Sequence, residues 1–280
     1  MAAWSVFFFK GTLLFYFLGT CFFLFDLWRR EGERASVDAD PPDGLPSPRG
    51  GVQRQALFLT GAGFLCHTLA LWARLPAVPF TSLHDALSFF SWALVLIFCW
   101  IDLRYRIDVL GSFILPLAFL SLISASALPN EIRNMDMTLK TAWLGAHTTL
   151  SILGIAAFAM AFIAGIMYLL QEHFLKAKQF NLLYDRLPSL DLLDQWNRKA
   201  ILLGFPLLTV GIISGAMWSQ YAVGSPWTWD NPKQILAFCT WVFYLVVLHG
   251  RITVGWRARK AARLAVIGFV GAIFIFVALA

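Results

Sequence analysis

Charge is what this chain of 280 residues has least of: Asp, Glu, Lys and Arg together make up 14%, against about 25% in an ordinary water-soluble domain. So thin a supply excludes a soluble globular protein and points to an integral membrane protein with little soluble mass. Cysteine is sparse too. Cys21, Cys66, Cys99 and Cys239 all fall inside apolar runs with no CxxC pair, which excludes a disulfide framework and a thiol-exchange site and leaves them as small core residues. No two histidines stand four apart, and no acidic residue neighbours His67 or His147 in sequence, so the ligand spacing of a zinc site is missing. Carboxylates are absent from the middle of the apolar runs, which counts against a proton-coupled transporter. The first apolar run is too long for a signal peptide and lacks both a basic leader and a cleavage pattern.

What is present is apolar bulk: 59% hydrophobic residues, with 26 Phe. A bilayer-spanning helix needs about 20 mostly apolar residues. Eight runs meet or approach that length, at 4–28, 55–75, 83–101, 109–128, 141–170, 200–219, 234–250 and 262–280. None shows the alternation of a β-barrel strand. The expected fold is an all-α membrane bundle of about eight helices, one domain over 1–280.

The net charge of +6 speaks for orientation and not for nucleic acid. Connections 29–54, 102–108, 171–199 and 251–263 carry 17 of the 22 Lys and Arg. Positive loops stay in the cytoplasm, so both termini are expected on the outer side. Connection 29–54, rich in Pro, Gly and charge, reads as a flexible cytoplasmic spacer. Residues 190–196, LDLLDQW, read as a short interfacial helix anchored by Trp196. Ala157, Ala161 and Gly165, and the pair Gly211 and Gly215, recur every four residues, a spacing that lets helices approach closely.

The stretch 218–233, WSQYAVGSPWTWDNPK, lies between two apolar runs on the expected outer face. Its Trp227 and Trp229 stand beside Asp230, with Gly224, Ser225 and Pro226 bending the chain. Trp can simply anchor a helix end at the headgroup level. A bent aromatic platform with one carboxylate is also the shape that holds a flat apolar ligand, with Asp230 orienting the loop through hydrogen bonds. Histidine inside a span is a functional candidate by default. His67 lies within the second run, where the plain alternative is a bond to a neighbouring helix. His147 lies near the outer end of the fifth, at about the depth of the tryptophan loop. His249 stands at the cytoplasmic end of the seventh, His84 at the outer mouth of the third, and His173 in a charged inner loop. Neutral imidazole is a good axial ligand for haem iron, and Arg74, Lys233 or Arg251 would supply cations for the propionates.

These segments resemble the cytochrome c assembly superfamily, the tryptophan-rich haem-handling membrane proteins of CcsA, CcmC, CcmF and HemX type. GFLCHTLAL at 63–71 is similar to the GxxxHTLAL pattern of CcsA-type proteins, and SLHDALSFFSWALVL at 82–96 to their NLYESLxFxAWALVL segment. The run 218–233 resembles their WGxxWxWD loop, and the segments 143–170, 187–218 and 244–269 match the stretches around it. The resemblance implies that His147 and His249 are axial ligands to haem iron, and that His67, Trp227, Trp229 and Asp230 belong to haem-binding surroundings.

Departures bear on the role. Val223 replaces a family Trp, Pro226 often a Tyr, and Asn231 is additional, while His84 and Asp85 stand for Tyr and Glu. The family's second outer histidine lies beyond its last helix, past the position of Ala280 here. His84 is a candidate substitute for it; pairing with Asp85 or water is the plain alternative.

The resemblance implies a haem b-binding protein of the bacterial cytoplasmic (inner) membrane. It would accept or present haem during c-type cytochrome biogenesis, alongside membrane lipid, a CcsB-like partner and apocytochrome c. Orienting the haem, and not side-chain catalysis, would be its part. The other expectation is a HemX-like regulator of haem biosynthesis acting on the level of glutamyl-tRNA reductase. Neither involves nucleic acid.

Overall fold

The computed structural model describes residues 2–34, 50–74, 82–107, 109–129, 139–179, 181–227 and 232–278. Its elements are α1 (Ala2–Arg34), α2 (Gly51–Arg74), α3 (Leu83–Tyr105), α4 (Leu110–Ser126), α5 (Leu139–Ala177), α6 (Leu182–Arg186), α7 (Leu190–Val223), α8 (Pro232–Ile252) and α9 (Ala258–Ala278). No strand occurs among the described residues. Among the described residues six helices are long and apolar enough to cross a membrane, and α4 is a shorter apolar helix of 17 residues. The chain is a multi-pass helical membrane protein. Helices prevail because in lipid every backbone N–H and C=O must find its partner within the segment. Hydroxyls follow the same rule: Thr12, Thr20, Thr60, Thr68, Thr148 and Thr209 each donate to the carbonyl four residues back, at 2.7–2.9 Å.

Two expectations change at the helix ends. The spacer between the first two runs is shorter than read, since α1 extends to Arg34 and α2 starts at Gly51; residues 35–49 lie outside the described residues. Residues 190–196 are not a separate helix but the first turns of α7, which continues unbroken to Val223. Ser189 caps it, its Oγ accepting the Leu192 N–H at 3.4 Å. No Gly or Pro interrupts the chain from 190 to 203, so nothing breaks the turn once it has begun.

The described chain forms two compact units. Unit 1 contains α1, α2, α3 from Ser91, α4 and α6. Tyr16, Phe23, Leu94, Phe98, Leu110, Ile114 and Leu115 fill its core. Two glycines admit aromatic rings: a Cβ on Gly63 would meet the Tyr16 ring at 2.8 Å, and one on Gly111 the Phe23 ring at 2.6 Å. Ser91 Oγ donates to the Ala118 carbonyl at 2.8 Å, Trp92 Nε1 to Thr68 Oγ1 at 3.0 Å. The buried carboxylate of Asp26 takes a charge-assisted bond from Arg186 at 3.3 Å, tying α6 to α1.

Unit 2 contains the first turns of α3, α5 to His173, α7, α8 and α9. Its core is built on α5, where Ala156, Ala157, Phe158, Ala159, Ala161, Ile163 and Ala164 are all buried. The small residues do what their spacing predicts: a Cβ on Gly165 would stand 2.9 Å from the Ala262 carbonyl oxygen of α9. Phe158 and Tyr244 of α8 stack face to face, centroids 3.6 Å apart and planes at 2°. The cysteines are a correction. All four are free, Cys21 and Cys239 exposed and Cys66 and Cys99 half-buried, so they do not fill a core; a thiol is apolar enough to sit on an outward helix face.

Candidate functional site

In unit 2, α5 and α7 run antiparallel along a ladder of close contacts. Trp143 Nε1 donates to the Ser214 carbonyl at 2.9 Å. One turn further, His147 Nδ1 lies 2.7 Å from the Gly211 carbonyl oxygen. Then Ser151 backs onto Gly211, whose Cβ would come within 3.2 Å of its backbone. Gly154 meets Gly204 and the Leu208 backbone, Phe158 crosses Gly204, and Ala161 receives the Asn197 side-chain amide at 2.6 Å. Gly204, Gly211 and Gly215 of α7, with Gly154 of α5, are what allow the approach along its middle.

That ladder defines the His147 imidazole chemically. A carbonyl oxygen only accepts, so Nδ1 carries the proton and donates; the neutral form of the ring with this tautomer has its lone pair on Nε2. Ser214 Oγ lies 3.4 Å from the same nitrogen and donates to the Gly211 carbonyl at 2.8 Å. Gly215 packs against the ring, where a Cβ would stand 2.6 Å from Cε1 and 2.9 Å from Nδ1. A half-buried histidine with its remote nitrogen fixed by a backbone carbonyl is the form in which imidazole serves as a metal ligand.

At this end of unit 2, α7 closes on Gly224 at φ 80°, whose N–H reaches the Gln220 carbonyl at 3.1 Å. Left-handed backbone is why glycine stands there. Ser219 Oγ then donates to the Ser225 carbonyl at 2.8 Å and Ser225 Oγ to that of Trp227 at 2.7 Å, so the start of the loop is internally bonded. Trp227 meets Phe238 of α8 edge-on at 5.7 Å. Trp218 is half-buried and its Nε1 has no hydrogen-bond partner among the described residues. A buried indole donor kept from a partner is suited to an acceptor on a bound molecule. Trp229 and Asp230 lie outside the described residues.

The other histidines occupy separate places. His84, in the first turn of α3, is buried at 4% exposure. Beside it Ser82 and Asp85 form a helix-capping pair: Ser82 Oγ donates to Asp85 Oδ2 at 2.7 Å and accepts the Asp85 N–H at 3.1 Å. His67, fully buried in unit 1, has Nδ1 3.3 Å from Tyr16 Oη, the interhelical bond that was the plain expectation for it. His173 is exposed. His249 is exposed near the end of α8, 17 residues beyond Pro232 and hence about 25 Å along the helix from the loop. Of the cations considered for propionates, Arg251 is engaged: its Nη2 donates to Asp194 Oδ1 at 2.9 Å and Asn197 Oδ1 at 2.7 Å. The Lys233 side chain lies outside the described residues. Sequence reasoning missed Asp194, Asn197, Ser214 and Tyr16; an Asn and an Asp opening an otherwise apolar run were the available signal for the first two.

Comparison with known proteins adds the family. The cytochrome c assembly protein model matches residues 80–279. The cytochrome c biogenesis protein CcsA of Guillardia theta is 30% identical over 218 aligned residues, covering 71% of this chain and 72% of the relative. That of Pyropia yezoensis is 30% identical over 262, covering 79% and 82%, and that of Chlamydomonas reinhardtii 33% identical over 208, covering 72% and 58%. A helical multi-pass architecture, the match over most of its length and these relatives agree: the chain belongs to the cytochrome c assembly protein family, that of the CcsA cytochrome c biogenesis proteins.

Proposed function

We propose that this protein binds haem b and presents it at the 218–233 loop during c-type cytochrome biogenesis. The observation that carries the reading is the His147 imidazole, its Nδ1 held by the Gly211 carbonyl at 2.7 Å, the tautomer that puts the lone pair of a neutral ring on Nε2. Trp218, with its unmatched buried N–H, and Trp227 supply aromatic surface at the same end of unit 2. His147 would hold the iron there, and Trp227, Trp229 and Asp230 would shape the slot. Bound haem supplies the vinyl groups to which apocytochrome thiols add. The residues of this chain orient and shield it.

On this reading the chain is one transmembrane domain of eight spans with both ends of the α7–α8 loop facing outward, in the bacterial cytoplasmic membrane. His249, on the basic side, marks the acceptance end, and His67 a station within the membrane. His147 and His249 act as separate ligands, since the length of α8 lies between the loop and His249. His84 would be the second ligand beside His147. A CcsB-like protein and apocytochrome c are the partners in this role.

The test is a reduced-minus-oxidised absorption spectrum of the purified protein with His147→Ala, His249→Ala and His84→Ala. A low-spin b-type spectrum, lost or shifted in the first two, is expected. A spectrum unchanged by His84→Ala removes that residue as a ligand. Protein that stays colourless when haem is supplied overturns haem handling and favours the HemX-like reading, a regulator of glutamyl-tRNA reductase level; the altered loop positions Val223 and Pro226 are what keep it in view.

A further inference from the structure

The opposite end of unit 2, where α7 begins, α8 ends and α9 begins, holds a cavity of about 420 Å³ lined by Asp191, Asp194, Arg198, Arg251, Trp256 and Arg257 among others. Three guanidiniums face two carboxylates, an excess of one positive charge. One carboxylate is already committed: Asp194 Oδ1 accepts from Arg251 at 2.9 Å and from the Ala258 N–H at 3.2 Å. Arg251 is the buried member, its side chain 2% exposed. Its Nη2 is satisfied by Asp194 and Asn197, but its Nε has no hydrogen-bond partner among the described residues. An unmatched N–H on a buried guanidinium is costly unless an acceptor enters beside it. At the rim Arg198 and Arg257 are exposed, and neither forms an ion pair among the described residues. The site therefore offers one deep and two exposed guanidiniums to an oxyanion.

The surroundings say what carries that oxyanion. Trp256 lines the cavity with Lys260 Nζ 3.8 Å over its ring. The same α8–α9 corner exposes Ile252 at 61% and Val254 at 65%. A Trp, a cation and bare aliphatic side chains at the mouth of a basic cavity suit a molecule with a phosphate head and a hydrocarbon body. We propose that this cavity binds the phosphate of an acidic phospholipid, on the membrane side to which the Lys and Arg distribution assigns the cytoplasm. The bound headgroup sits among Arg198, Arg251 and Arg257 and joins the start of α7 to the α8–α9 corner. This site is independent of haem and stands or falls separately from it.

The experiment uses the full chain in nanodiscs of phosphatidylcholine with and without phosphatidylglycerol, followed by native mass spectrometry of retained lipid. Wild type is expected to retain phosphatidylglycerol in preference to phosphatidylcholine, and Arg198→Gln/Arg257→Gln to retain about tenfold less. Arg259→Gln, whose guanidinium is turned to Glu172 at 3.2 Å, is expected to behave as wild type. If the double variant does not purify, the two single variants carry the test, each with a partial loss. Equal retention of the two lipids by wild type, or unchanged retention in the rim variants, overturns the proposal. So does displacement of the bound species by inorganic phosphate in detergent with no lipid preference, which assigns the cavity to a soluble phosphate.

Discussion

His147 and Gly211, 64 residues apart in the chain, meet at 2.7 Å through Nδ1 and the backbone carbonyl. This bond fixes the proton of the histidine on Nδ1 and is one step of the ladder that sets the register of α5 against α7. The ring rests on Gly215 because only a hydrogen leaves room for it.

Gly215→Ala is therefore expected to lower stability by about 1–3 kcal/mol, the usual penalty of overpacking a close contact. A thermal melt in detergent measures it. If His147 ligates haem, the same substitution shifts the absorption spectrum, because the ring cannot keep its place beside a Cβ 2.6 Å from Cε1. Lowered stability with an unmoved spectrum would separate packing from ligation.

Arg251→Ala strips Asp194 and Asn197 of their shared donor. Removing one partner of a buried ion pair costs about 3–5 kcal/mol. Asp194 is about a quarter exposed on its side chain (23%), so the lower end is expected here. Adding Asp194→Asn to Arg251→Ala should restore part of the loss, since no carboxylate is then left unpaired. A double variant no more stable than Arg251→Ala alone would count against the pairing as the cause.

Tyr244→Phe is expected to be neutral or stabilising by up to about 1 kcal/mol. The ring stack on Phe158 survives the change, while the hydroxyl removed is buried with no partner among the described residues. A clear fall in melting temperature would reveal that the hydroxyl has an acceptor after all.

Tyr16→Phe removes the hydroxyl that meets His67 at 3.3 Å, leaving a fully buried imidazole nitrogen without it. A loss of about 1–2 kcal/mol is expected. His67→Leu combined with Tyr16→Phe should cost less than the sum of the single changes if the two act as a pair; strict additivity would argue that His67 answers to something other than Tyr16.

Much of this was legible in the residues. Eight apolar runs match α1 to α5 and α7 to α9, with ends displaced by up to ten residues, at the start of α7, where helices outlast their apolar cores. The Gly211 and Gly215 spacing announced a close helix contact, and the structure puts Ser151 and His147 against those two positions. Residues 190–196 misled because an amphipathic stretch with a Trp reads alike as an interfacial helix and as the first turns of a long one. Only the absence of a breaker before Gly204 tells them apart. The cysteines misled because in a membrane both faces of a helix are apolar, so hydrophobic surroundings in sequence do not imply a core.

The sequence by itself determined the fold class, the multi-pass membrane character and the family, because each depends on composition, run length and local motifs. It could also single out His67, His84, His147 and His249 by depth. Tertiary structure alone decided that His147 is tautomerically set by Gly211, that His67 is held by Tyr16, and that Arg251 is buried between Asp194 and Asn197. A helical period says where a face lies, but not which neighbour it meets. Those assignments rest on contacts between helices 51 to 64 residues apart, and such contacts leave no local trace in the chain.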